Sequence, residues 1–108
     1  MIKKIKLLFV CTSGYRAGVA SSVFSENDKY ETNSCGVYSV SKEELEKLVI
    51  WSDKVIAITK EHYIYLKNMG VDAKKLVNLD ISNQDSHNEE KLISLCKETI
   101  FDLIDKPL

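Results

Sequence analysis

Apolar residues in this chain come as short solid runs separated by longer stretches with helical spacing. Ile5 to Val10 is such a run, bounded by lysines before it and by Thr-Ser-Gly after it, as a strand buried on both faces requires. Small and apolar residues then recur at Ala17, Ala20, Val23 and Phe24, which predicts a helix over 17–24. Tyr30 to Ser34 reads as a second strand ending at Cys35-Gly36. Ser41 with Glu44 has the form of a capping box, opening a helix with an apolar stripe of Leu45, Leu48, Val49 and Trp51. Val55 to Ile58 is a third strand, and Thr59 can cap a helix from Lys60 to about Asn68 that stops at Gly70. Leu76 to Leu79 forms a fourth strand ending at Asp80, and 81–88 a polar loop. Glu89 to Ile104 is a final amphipathic helix carrying Leu92, Ile93, Leu95, Ile100, Phe101 and Leu103. This βαβαβαβα order predicts an α/β domain, a four-stranded parallel sheet with helices on both faces.

Length and composition narrow the picture. At 108 residues the expectation is a single domain over 1–108, and a net charge of −1 speaks against a nucleic-acid partner, which would require a basic surface. The apolar runs are too short for a membrane span, and the stretch behind the N-terminal lysines lacks a signal-peptide cleavage pattern. Three cysteines without regular spacing predict reduced thiols and a cytoplasmic protein. The cationic residues are 14 lysines and a single arginine, Arg16. A guanidinium holds an oxyanion through two parallel hydrogen bonds, which an ammonium cannot do.

Arg16 stands five residues after Cys11, in Cys11-Thr12-Ser13-Gly14-Tyr15-Arg16. This segment falls between the first strand and the first helix, and in parallel α/β folds ligands bind beyond the carboxyl ends of the strands. Backbone N–H groups at a helix start favour an anion there, and Gly14 supplies the freedom that a tight cradle needs. At these residues the chain resembles the low-molecular-weight protein-tyrosine phosphatases, in particular their short bacterial and archaeal branch. Leu7-Leu8-Phe9-Val10-Cys11 resembles the family's first strand and nucleophile, and Arg16 to Phe24 its first helix. Cys35-Gly36, Trp51-Ser52-Asp53 and Leu79-Asp80-Ile81 resemble further stretches of the family, so the likeness runs along nearly the whole chain.

The resemblance implies a phosphatase-like fold in which Cys11 attacks phosphorus while Arg16 and the loop Thr12-Ser13-Gly14-Tyr15 hold the phosphoryl oxygens. A phosphocysteine is then hydrolysed, with phosphotyrosine or another aryl phosphate as substrate, on a small molecule or a protein. The chain departs from the family at three places. Four residues rather than five separate Cys11 from Arg16, Ala17 replaces a Ser that bonds the thiolate, and Ser82-Asn83-Gln84 stands where the short branch carries acidic residues. Asp85 is the neighbouring candidate for the general acid. Two alternatives stay open beside the hydrolase: a phosphate- or phosphoprotein-binding relative with impaired catalysis, and a phosphocysteine carrier. Residues 81–90 hold no cysteine, which an arsenate reductase of this family would require. Cys35 and Cys96 are expected to pack in the core. His62 and His87 read as surface histidines without metal-ligand spacing, and no cofactor is expected. Trp51, Tyr63 and Tyr65 read as helix packing, while Tyr15 fits either a cleft wall or the loop.

Overall fold

Leu7, Leu8, Phe9 and Val10 are all fully buried, so the first strand must be covered on both of its faces. The computed structural model describes residues 4–82 and 88–100 and shows how. The elements are β1 (Ile5–Cys11), α1 (Tyr15–Ser25), β2 (Tyr30–Gly36), α2 (Lys42–Trp51), β3 (Lys54–Ala57), α3 (Lys60–Asn68), β4 (Leu76–Asn78) and α4 (Glu89–Ile100). All strand pairs are parallel, in the order β2-β1-β3-β4. The expected four-stranded α/β sheet is what the chain forms.

Side chains alternate across the sheet. Leu7, Phe9 and Cys11 face α1 and α4, where they meet Ala17, Ala20, Phe24, Leu92 and Ile100. Leu8 and Val10 face α2 and α3, where Leu45 and Leu66 close a second core that also contains Cys35. Each large side chain so buried contributes about 1.5–3 kcal/mol.

The ends of the helices follow from local chemistry. Ser41 caps α2 by accepting the Glu44 N–H at 3.1 Å. Gly70, at φ +98°, ends α3 in a left-handed turn, with Gly70 N–H on Lys67 O and Val71 N–H on Leu66 O. The Trp51-Ser52-Asp53 stretch is a structural clasp. Asp53 bonds the Lys6 backbone through its carboxylate (2.9 Å) and its N–H (2.8 Å), Ser52 bonds Val49 O, and Lys6 Nζ stands over the Trp51 ring.

Several expectations are corrected. Helix α1 starts at Tyr15 rather than Ala17, so Arg16 belongs to its first turn. Strand β3 is Lys54–Ala57 rather than 55–58, and β4 ends at Asn78 rather than Leu79. Tyr65 does not pack in a core but is exposed, whereas Tyr63 lies against the second core. Residues 101–104 of the expected last helix, with Phe101 and Leu103, lie outside the described residues. None of the described helices is long and apolar enough to cross a membrane.

Candidate active site

Neighbours β2 and β3 flank β1 on opposite sides, so the strand order reverses there and a crevice opens at its carboxyl end. Cys11 is the last residue of β1. The chain then turns through Gly14, whose φ of +96° is the left-handed conformation that glycine adopts without strain, and enters α1.

No side chain caps α1 from Gly14. The cap is sulfur. Cys11 Sγ accepts the Gly14 N–H at 3.1 Å and the Ala17 N–H at 3.3 Å, so it satisfies a donor in the first helical turn that would otherwise lack a partner. Ala17, which cannot offer a hydroxyl, thus still supports the sulfur through its backbone. The N–H groups of Thr12 and Ser13 have no hydrogen-bond partner among the described residues, and the Ser13 side chain is exposed. Such donors are what a bound anion satisfies.

Gly36 explains how the loop fits against the sheet. A Cβ there would stand 2.4 Å from Ser13 C and 2.5 Å from both Gly14 N and Thr12 O, so only glycine lets the loop backbone settle on β2. Val37 N–H to Cys11 O (2.8 Å) and Tyr38 N–H to Thr12 O (3.1 Å) fasten it.

Arg16 is buried and donates from a terminal nitrogen to Thr12 Oγ1 at 3.2 Å. Tyr15 is exposed, and its hydroxyl donates to Glu89 Oε1 at 3.0 Å, joining the loop to the start of α4. That bond to a carboxylate holds the phenol pKa above its ordinary value of 10.0. The structure therefore brings Cys11, Thr12, Ser13, Gly14, Tyr15 and Arg16 into one turn at the crevice. Asp85, with Asn83, Gln84 and His87, lies outside the described residues.

His62 overturns its expected place on the surface. It is buried in the first turn of α3, with Nε2 at 2.8 Å from Thr12 Oγ1 and Nδ1 at 3.2 Å from Thr59 N. Burial first, and then the Arg16 charge, hold its pKa below the ordinary 6.5. The signal was present in Thr59-Lys60-Glu61-His62: a residue three past an N-cap reaches back to the cap's N–H, normally as Glu or Gln, and His does so here. Cys35 and Cys96 are buried as expected, and burial pushes their thiols up to about 11 and about 12. Among the described residues, no group of three or more His, Cys, Asp or Glu could hold a metal ion.

The fold matches a solved structure. The chain superposes on the crystal structure of a YwlE mutant from Bacillus subtilis with a TM-score of 0.68, covering 93% of this chain and 99% of that one at 20% sequence identity. YwlE is a low-molecular-weight protein tyrosine phosphatase/arsenate reductase, and the likeness establishes that this chain has its fold. No protein-family model matches the chain. No curated protein matches it in sequence.

A cavity of about 760 Å³ lies away from this loop, lined by Phe24, Asn27, Tyr30 and Lys97 and by no cysteine. A smaller one of about 270 Å³, lined by Thr59, Glu61, Asp80 and Ser82, opens at the carboxyl ends of β3 and β4.

Proposed function

We propose that the chain is a cysteine-dependent phosphomonoester hydrolase acting on an aryl phosphate, of a small molecule or a phosphotyrosine protein. The observation that carries this reading is Cys11 Sγ receiving two backbone N–H bonds at the start of α1, with the guanidinium of Arg16 in the same turn. Donors converging on sulfur suit a thiolate, and the same helix terminus suits a phosphoryl dianion. The thiolate attacks phosphorus, an S–P bond forms, and the P–O bond to the aryl group breaks with its electron pair leaving on oxygen. Water then attacks the phosphocysteine, the S–P bond breaks, and inorganic phosphate leaves as the thiolate is restored. Arg16 and the loop N–H groups hold the equatorial oxygens through both steps. An aryl oxide is the leaving group that depends least on protonation, which fits a chain with Ser82-Asn83-Gln84 ahead of Asp85.

Turnover of p-nitrophenyl phosphate tests the proposal. Cys11→Ser is expected to lower the rate by about 10⁴-fold or more. Equal rates for the two proteins refute it.

A second reading is favoured by one specific observation, the complete burial of Cys11 at the start of the loop. A sulfur that substrate cannot reach leaves an anion-binding module without turnover. Stabilisation of the wild type by phosphate or vanadate together with a rate no higher than that of Cys11→Ser selects this reading.

A further inference from the structure

The bonding around Thr12 fixes where its hydroxyl hydrogen is available. His62 Nδ1 faces two donors, the Thr59 N–H at 3.2 Å and the Thr59 hydroxyl at 3.0 Å. A nitrogen that accepts from a backbone N–H carries no proton, so the proton of the neutral ring is assigned from this network to Nε2. The 2.8 Å contact therefore runs from His62 Nε2–H to Thr12 Oγ1. Arg16 donates to the same oxygen at 3.2 Å. Both lone pairs of Thr12 Oγ1 are then occupied by incoming donors, and the hydroxyl has only its hydrogen left to offer. That hydrogen has no acceptor among the described residues.

Resting on the phosphate-site reading above, we infer that Thr12 is an anion ligand through its hydroxyl and that His62 is the residue that positions it. The shortened loop has one backbone N–H fewer than the family's loop, and a side-chain O–H directed to the same anion supplies a donor in its place. The neutral imidazole matters for its direction of donation rather than its charge. With Nε2–H and Arg16 on the oxygen, the threonine hydroxyl cannot turn to accept and presents itself only as a donor. Buried Nδ1, its single lone pair turned to the Thr59 donors, keeps the ring from flipping. His62 thereby ties the start of α3 to the loop after β1 across the crevice between β1 and β3.

Vanadate and phosphate binding, measured by calorimetry, separates this role from mere packing. Thr12→Val keeps the side-chain shape but removes the hydroxyl and is expected to weaken both anions by about ten- to a hundred-fold, while Thr12→Ser binds near wild type. His62→Leu is expected to weaken binding comparably, and His62→Gln, whose amide can donate in place of Nε2, to recover most of the loss. The double variant Thr12→Val/His62→Leu should bind no more weakly than Thr12→Val alone, because both changes remove one interaction. If His62 only supports α3, His62→Leu lowers the melting temperature without changing affinity, or its loss multiplies that of Thr12→Val; either result overturns the assignment. Wild-type binding of vanadate with Thr12→Val equal to it overturns the inference while leaving the phosphate site intact. A wild type that binds neither anion overturns the phosphate-site reading and this inference with it.

Discussion

Cys11 is the last residue of β1 and Cys35 the last but one of neighbouring β2, one register step apart, since Val10 pairs with Cys35 and Cys11 with Gly36. Both thiols are buried, yet their surroundings share little. Cys11 points to the side of the sheet where α1 begins, and two N–H groups converge on its sulfur. Cys35 points to the other side, among Val10, Val37 and Leu45, and burial there pushes its thiol up to about 11. Burial alone thus does not distinguish the two thiols. What differs is whether a helix begins over the sulfur, and the strand pleat decides that by a single residue.

Thiol labelling is the most direct way to break this comparison, and its expected outcome is all-or-none. At pH 7 a thiol near 11 is ionised about once in 10⁴ molecules, so Cys35, and Cys96 near 12, should stay unmodified by iodoacetamide while the protein is folded. Cys11 should react, and phosphate should slow it. Peptide mapping by mass spectrometry reads the result; three thiols that react alike, and only on unfolding, would make the two strand ends equivalent.

Next in size is a glycine comparison. A methyl group at Gly36 meets loop backbone at 2.4–2.5 Å, whereas one at Gly18 comes no nearer than 3.9 Å to Ser34 Oγ. Gly36→Ala should cost about 2 kcal/mol or more and abolish vanadate binding, because backbone cannot step aside as a side-chain tip can. Gly18→Ala, inside α1, should instead stabilise by about 0.5–1 kcal/mol. Denaturant midpoints for both variants check this, and a tolerated Gly36→Ala would mean that the loop does not rest on β2.

A smaller effect separates geometry from charge. Arg16→Lys keeps the cation but loses the planar fork, and should weaken phosphate by about 1.5–3 kcal/mol, or ten- to a hundred-fold. Lys67→Arg, on the exposed side of α3, should leave affinity unchanged. Titration of phosphate against both variants is the measurement, and unchanged binding by Arg16→Lys removes Arg16 from the site.

The strand runs and the turn from Cys11 to Arg16 were legible because each rests on local pattern: solid apolar stretches, a glycine, and one arginine among lysines. The burial of His62 was not, for a tertiary reason, although its reach back to the Thr59 N–H has a local signature. A polar residue in a helix's first turn is normally solvated, and here it is buried because the loop after β1 closes over the start of α3. Likewise Tyr15 and Arg16 break the apolar period of α1, so the sequence places the helix start later; a sulfur rather than a Ser or Asp provides its cap. Tyr65 shows the opposite error, since an aromatic at helical spacing reads as helix packing while the fold leaves it exposed.

The smallest expected effect is a pH dependence of stability set by His62, and it sharpens the contrast between the two sides of the crevice. Folding holds the His62 pKa below its ordinary 6.5, through burial and then the nearby Arg16 charge, with Glu61 opposing them. A histidine lowered in the folded state binds more protons unfolded than folded as the solution becomes acidic. Its contribution to stability is therefore complete above about 6.5 and is lost as pH falls through the folded value. The structural cost of protonation is specific: a proton on Nδ1 would face the Thr59 N–H and break the contact that begins α3. His62→Gln has no group titrating in this range. Melting temperatures of both proteins at pH 7.5 and 5.5 should thus show a larger drop for the wild type, and equal drops would mean that His62 does not titrate against folding.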